Sequence, residues 1–498
     1  MNLPDTISFK AWILQDHENR WVLVLSAIFS LTAFTWLKIC YPFPNFLPDS
    51  YSYLDAAFKN QSINLWPIGY SKFLRIFSCF TRSDMALVFV QYILLQASIL
   101  YFLLTVRYLL APGRWLFRIL FVCCLMNPLT MYLCNFISSD ALFASLSLIW
   151  ITQILWILHR PNLRILLLHG VVLLFAFMVR YNALFYPFIS LAVILQSRLI
   201  LRTKLIGISC MAMLTGGFVL FNVCQYKTFT DTTQFSAFGG WQLASNALYG
   251  YAHSRPDAPD QVPSAFRDLQ VIVNRHMDSV NRLPHRPDAE PGIYYLWDEH
   301  APLKQYLGQK WKKDSVTDGF KKWASMGPLY GAYGSWLIRR HPADFIQYYL
   351  WPNIENYYGP GAEFMSIYNM GSDSVEDLAK FWFNLSTRKV KHKEKKIIIA
   401  EAYPTMLAII NPLFFLGFIG FWLSNGFKRS GRYFLRSLRW IAIIWLANFG
   451  FSVLASPIVL RYQVFPVIIT VTFLGFLVEG IVRLQSPPPV ISTGLAIS

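Results

Sequence analysis

Long apolar runs separated by short polar connections dominate the chain. A helix needs about 20 apolar residues to cross a bilayer. Ten segments approach that pattern, at roughly 21–41, 85–106, 115–134, 141–158, 163–179, 183–197, 205–223, 402–424, 438–456 and 462–482. The fifth and sixth are short and separated only by Arg180, Tyr181 and Asn182. One continuous helix through 163–197 would bury an arginine at mid-membrane, which is costly. Two short helices meeting at one membrane face are expected instead. The first run follows a polar start of mixed charge and lacks a small-residue cleavage site, so it reads as a retained span.

Two polar regions interrupt the pattern. The first outer loop, 41–84, contains an expected short helix near 49–58 and an amphipathic stretch at 68–80 suited to lying along the interface. The second, 225–400, mixes aromatic-rich helical segments with Pro-rich connections at 255–263 and 284–292. The expected fold is an all-α polytopic membrane protein with about ten transmembrane helices and a mainly helical extracytoplasmic domain. Its parts are an N-terminal membrane region (1–224, about seven spans), the outer domain (225–400) and a C-terminal membrane region (401–498, about three spans).

Composition supports the membrane reading. Hydrophobic residues make up 55% and charged residues 14% of the 498, about half the charged share of a typical soluble domain. The net charge of +17 lies mostly in short loops, which marks topology and not nucleic-acid binding. Lys10, Arg20, Arg107, Arg114, Arg118, Arg160, Arg164, Arg198, Arg202, Lys204, Lys428, Arg429, Arg432, Arg436, Arg439 and Arg483 fall on one side. The opposite short segments hold Lys59, Lys72, Arg75, Arg82, Arg180 and Arg461. The bias puts the N-terminus in the cytoplasm. A further basic run (Arg388, Lys389, Lys391, Lys393, Lys395, Lys396) adjoins the eighth segment on the outer side. It reads as a solvated face or as a patch for anionic lipid or glycan. The seven cysteines avoid 225–400, so no disulfide framework is expected there.

Four constellations could carry chemistry. In the segment 48–57, Asp49 suits either a helix N-cap or a carboxylate presented to a substrate hydroxyl. Asp55, six positions on, would point roughly 120° away on a regular helix. In Ile137-Ser138-Ser139-Asp140, any of the last three could cap the fourth span. Arg180 with Tyr181 and Asn182, and Arg461 with Tyr462, could snorkel or hold a partner. Topology puts all four on the outer face. The histidines show no metal-type spacing, and no Walker loop, GxSxG elbow or dinucleotide fingerprint occurs in a convincing context.

In shared order, these motifs resemble the GT-C superfamily of polytopic glycosyltransferases that use polyprenyl-phosphate-linked sugars. The likeness is carried by Pro48-Asp49-Ser50 with Tyr53, then by the Pro67-Ile68-Gly69-Tyr70 element and Ser139-Asp140-Ala141-Leu142-Phe143. It continues with Arg180-Tyr181-Asn182-Ala183 and Pro187, His341-Pro342, and Arg461-Tyr462 with Pro466. The resemblance implies Asp49 as the catalytic base and Arg180 and Arg461 as donor-phosphate ligands. Asp140, Asp55, Tyr53, Tyr181 and Tyr462 would be substrate-orienting. It implies a sugar transferred with inversion to a glycan, lipid or protein acceptor at the periplasmic face of a cell inner membrane. No cofactor is assigned, no metal ligands are named, and a divalent metal stays open. A transporter or lipid flippase is the rival from another class, although no internal repeat supports it. An oligosaccharide ligase or polymerase using a diphosphate lipid is the rival within the same chemistry.

Overall fold

Helices form where the apolar runs lie. The computed structural model describes residues 7–390, 397–455 and 457–485. Eight helices in it are long and apolar enough to cross a membrane: His17–Cys40, Asp84–Leu110, Arg114–Cys134, Asp140–His159, Leu201–Thr230, Ala400–Leu423, Arg432–Ala455 and Val464–Gln485. Eight reach that length where about ten were expected. Leu163–Val179 and Tyr181–Gln196 occupy the fifth and sixth segments but are shorter. Between them Arg180 is extended (φ −152°, ψ 138°), so the break expected there is present. The third segment is interrupted too. Pro128 has no N–H to donate to a continuing helix, and the side chain of Asn127 accepts the N–H of Leu129 to start a new one. Among the described residues there is no strand, only isolated bridges.

Polar contacts sort the connections into two ends. At one end, Glu18 pairs with Arg107 and Arg114 at 2.5 and 3.0 Å, and Glu479 accepts the N–H of Gly113. Arg436 donates there to the carbonyls of Leu158 and Gln196. The connections near 41–47, 135–139, 180 and 457–463 gather at the other end.

Buried apolar residues form two large clusters. One fills the helical bundle and also takes Met365, Tyr368, Val375 and Ala379. The other lies in a lobe between Tyr226 and Tyr349 and takes Ile63 from the first loop. The expected outer domain, 225–400, therefore contributes to both cores. Of the basic run, Arg388 pairs with Asp377 at 3.1 Å on the surface, whereas Lys391, Lys393, Lys395 and Lys396 lie outside the described residues.

Helix Ala237–Tyr251 crosses helix Gly327–Arg340 at backbone contact in the lobe. A Cβ on Gly334 would stand 2.7 Å from the backbone of Leu243 and Ala244. Trp241 fills the space beside this crossing, stacked on Trp323 at 5.2 Å and edge-on to Tyr330 at 4.6 Å. Gly334→Ala should therefore cost about 1–3 kcal/mol by overpacking, read as a lower Tm of the purified protein. Gly239→Ala, on the exposed face of helix Ala237–Tyr251 with open space around it, should instead leave Tm unchanged or raise it.

Candidate functional site

Asp140 is the first residue of helix Asp140–His159, whose N-cap, Ser139, makes no side-chain cap bond. Of the three expected capping candidates, Ser138 alone takes up a capping contact, its Oγ accepting the N–H of Asp140 at 3.4 Å. The carboxylate is occupied by charge. Arg180 Nη1 donates to Oδ1, and Arg461 Nη1 lies 3.3 Å from Oδ2. Ser138 Oγ also donates to Oδ2, at 2.9 Å. The side chain of Asp140 is 2% exposed and those of Arg180 and Arg461 are 15% and 12% exposed. The helix N-terminus adds a favourable dipole for the buried carboxylate.

The same Arg461 Nη1 lies 3.4 Å from Asp49 Oδ2. Asp49 is not the N-cap expected from the sequence. Helix Pro48–Phe58 starts one residue earlier, with Leu47 as N-cap, and Ser50 Oγ accepts the N–H of Leu47 at 2.8 Å. Pro48 at N1 has no N–H needing a partner. The Asp49 carboxylate is thereby released from local capping, and its Oδ1 accepts no hydrogen bond among the described residues. Burial pushes its pKa up from the ordinary aspartate range and the charge of Asp140 adds to the rise. Arg461 and Arg180 pull it back without cancelling it.

Tyr462 bridges the two cations, with its ring centre 4.1 Å from the Arg180 guanidinium carbon and 4.6 Å from that of Arg461. Such contacts gain strength where water is excluded. Tyr53 is buried and shares a 3.0 Å hydrogen bond with Ser139 Oγ, and burial pushes its phenol well up, so it stays neutral. Two other expected residues stand apart from the charged group. Asp55 pairs with Lys59 at 2.8 Å on the outer side of its helix. Tyr181 packs against Phe235 and Phe177, with ring centres 4.8 and 6.0 Å away.

Two backbone ties assemble these pieces. Asn45 pairs with the segment after Cys134: its N–H donates to Asn135 O at 2.7 Å, and Ile137 N–H donates to Asn45 O at 2.9 Å. Its side chain accepts the N–H of Asn369, and Asn369 returns the bond to Phe46 N–H. Lys38 Nζ holds Asn135 Oδ1 at 2.8 Å, and Asn135 Nδ2 donates to Phe43 O. The second tie joins Leu460 N–H to Gly361 O at 2.9 Å, which brings Glu363 alongside Arg461. Glu363 has φ 42°, an unusual backbone for a residue with a Cβ, and lies within the fields of Arg461 and Asp49. Sequence reading named none of Asn45, Asn369, Gly361 or Glu363 as part of the site.

The cluster has three carboxylates and two guanidiniums, and one donor is left over. Arg461 Nε is buried and has no partner among the described residues, a rare and costly condition for a charged group. The described residues include no group of three or more metal-type side chains placed to hold an ion. Chemically, the arrangement offers a basic carboxylate beside a fork of cationic N–H donors suited to an anion. No family model, curated protein or solved structure matches the chain.

Asp140→Asn should leave two buried guanidiniums short of their shared counter-charge. The expected loss is about 3–5 kcal/mol, measured as a lowered Tm in the same detergent. An unchanged Tm would show that the two arginines do not depend on Asp140.

Proposed function

We propose that the chain is a membrane glycosyltransferase that moves a sugar from a polyprenyl-phosphate donor to an acceptor hydroxyl, with inversion at the anomeric carbon. The observation that carries this reading is the meeting of Asp49, Asp140, Arg180 and Arg461, with Arg461 Nε left without a partner. A base and a phosphate cradle are the two parts this transfer needs. They come together from sequence positions that match the GT-C motifs.

Asp49 takes the proton of the acceptor hydroxyl at its open Oδ1, and the acceptor oxygen attacks the anomeric carbon from the face opposite the phosphate. The bond from that carbon to the phosphate oxygen breaks, and its electron pair leaves with polyprenyl phosphate. The leaving group departs as an anion, so it needs neutralisation in place of a proton. Arg461 and Arg180 supply it, and preorganised charge in a water-poor site is worth several kcal/mol to such a step. Asp140 acts on the arginines, fixing where their donors point. Tyr462 holds both guanidiniums by its face. Tyr53 orients its neighbour Ser139, whereas Asp55 and Tyr181, each engaged elsewhere, are given no role.

The short apolar helices bring the number of crossings to ten. The Lys/Arg bias then puts the N-terminus in the cytoplasm and the charged cluster and lobe on the periplasmic side of a cell inner membrane. The acceptor is a glycan, lipid or protein hydroxyl reaching the site from that side.

Asp49→Asn should lower transfer by about 10²–10⁴-fold, assayed as release of polyprenyl phosphate from a purified donor without any ion gradient. Near-normal turnover would remove the base assignment. Gradient-dependent movement of the lipid with no release would point to a transporter. The raised pKa of Asp49 sets the pH dependence. The base works deprotonated, so kcat/KM should fall with decreasing pH at values above the ordinary aspartate range. Arg461→Lys keeps the charge but loses the fork. It should raise donor KM while leaving this acid limb nearly in place.

A further inference from the structure

Helix Gly69–Ser78 presents one face to the protein and one away from it. Gly69, Tyr70, Ser71 and Leu74 are buried, and a Cβ on Gly69 would collide with the backbone of Met178. The other face, continued by the next turn, carries Arg75, Ile76, Cys79 and Phe80. Ile76 is 64% exposed and Phe80 84%. Phe58, at the end of the helix that carries Asp49, is half exposed and packs edge-on against exposed Phe381 at 5.7 Å. Arg82 is exposed and has no carboxylate partner among the described residues; its guanidinium lies 5.9 Å from the Phe381 ring centre.

We propose that Phe58, Ile76, Phe80, Arg82 and Phe381 form a foot seated in the outer surface of the bilayer, with the phosphate of a membrane phospholipid on the Arg82 guanidinium. Three observations select lipid as the occupant. Large apolar side chains this exposed next to arginines match the composition of an interfacial surface. The patch ends where helix Asp84–Leu110 begins, and it continues into the apolar surface of that helix through half-exposed Met85. The Arg82 guanidinium, set against the Phe381 ring and without a carboxylate partner among the described residues, is left to meet an anion such as a lipid phosphate.

The foot also sets the height of the Asp49 helix. Arg75 Nη1 donates to the carbonyls of Ala57 and Phe58 at 2.9 and 3.3 Å, tying the last turn of Pro48–Phe58 to the foot helix. A lipid-bound foot thus holds the Asp49 segment at a fixed depth. This contact needs no particular reaction at Asp49, so it can be tested apart from catalysis.

The test uses the full chain in vesicles of phosphatidylcholine and phosphatidylglycerol, with a nitroxide on Cys79 and Cys40, Cys123, Cys210 and Cys224 changed to Ser. The label should collide far less with a soluble nickel chelate than the same label at Val316→Cys, a position in the lobe that is 93% exposed. Equal collision rates would overturn the foot. Dipolar broadening between two Cys79 labels would also overturn it, because a second copy of the chain would then cover the patch. In detergent, phosphatidylglycerol titrated onto Arg82→Gln should bind about fivefold more weakly than to the unsubstituted protein, read by native mass spectrometry. Equal affinity would overturn the phosphate assignment.

Discussion

One carboxylate shared by two arginines holds one end of this molecule together. Asp140 is nearly inaccessible to water, and the arginine side chains it meets are largely shielded from it. In such surroundings the attraction between opposite charges is several times stronger than in water, and so is the penalty for separating them. Arg180 must therefore sit where helix Leu163–Val179 ends, and Arg461 must stay on the turn Leu460–Tyr462 before the last helix. Asp49 completes the group through Arg461, whose Nη1 lies between its carboxylate and that of Asp140. The first loop is thereby linked to the last connection through a guanidinium, in addition to the apolar core they share.

Much of this was readable from the sequence. The apolar runs marked the helices, and the cost of burying Arg180 in a continuous span located the break between Val179 and Tyr181. Alternation of spans put Asp49, Asp140, Arg180 and Arg461 at one end although 412 residues separate the first from the last. Reading failed at the level of local competition. Asp49 and Asp140 both sit where a capping residue is common, and propensity alone favoured caps. At the first site a leucine N-cap, a proline and Ser50 settled the helix start without Asp49. At the second, two arginines from distant segments claimed the carboxylate.

The ties that hold the site were invisible for a different reason. Asn45 and Asn369 exchange hydrogen bonds with each other's segments across 324 residues, and asparagines in loops are too common to mark such a pair. Glu363 reaches the cluster only because Gly361 pairs with Leu460. No periodicity encodes that pairing, and a positive φ at glutamate has no sequence signature. The same limit applies to the ends of helices. Val464–Gln485 starts after a short turn that carries Arg461 and Tyr462, where hydropathy alone would have extended the span through Tyr462.

The wide spacing of the charged residues has a consequence for biogenesis. Ribosomes add about 5–20 residues per second, so the 412 residues between Asp49 and Arg461 take some tens of seconds to emerge. During that interval the Asp49 carboxylate has no guanidinium from the last connection, and Asp140 has only Arg180. Until Arg461 arrives, the cluster itself carries an excess of negative charge, and water or protons must balance it. Arrival of the last connection is therefore also the step that brings the second guanidinium to the site, so a nascent chain stalled before residue 461 would have most of its helices but an electrostatically unfinished centre.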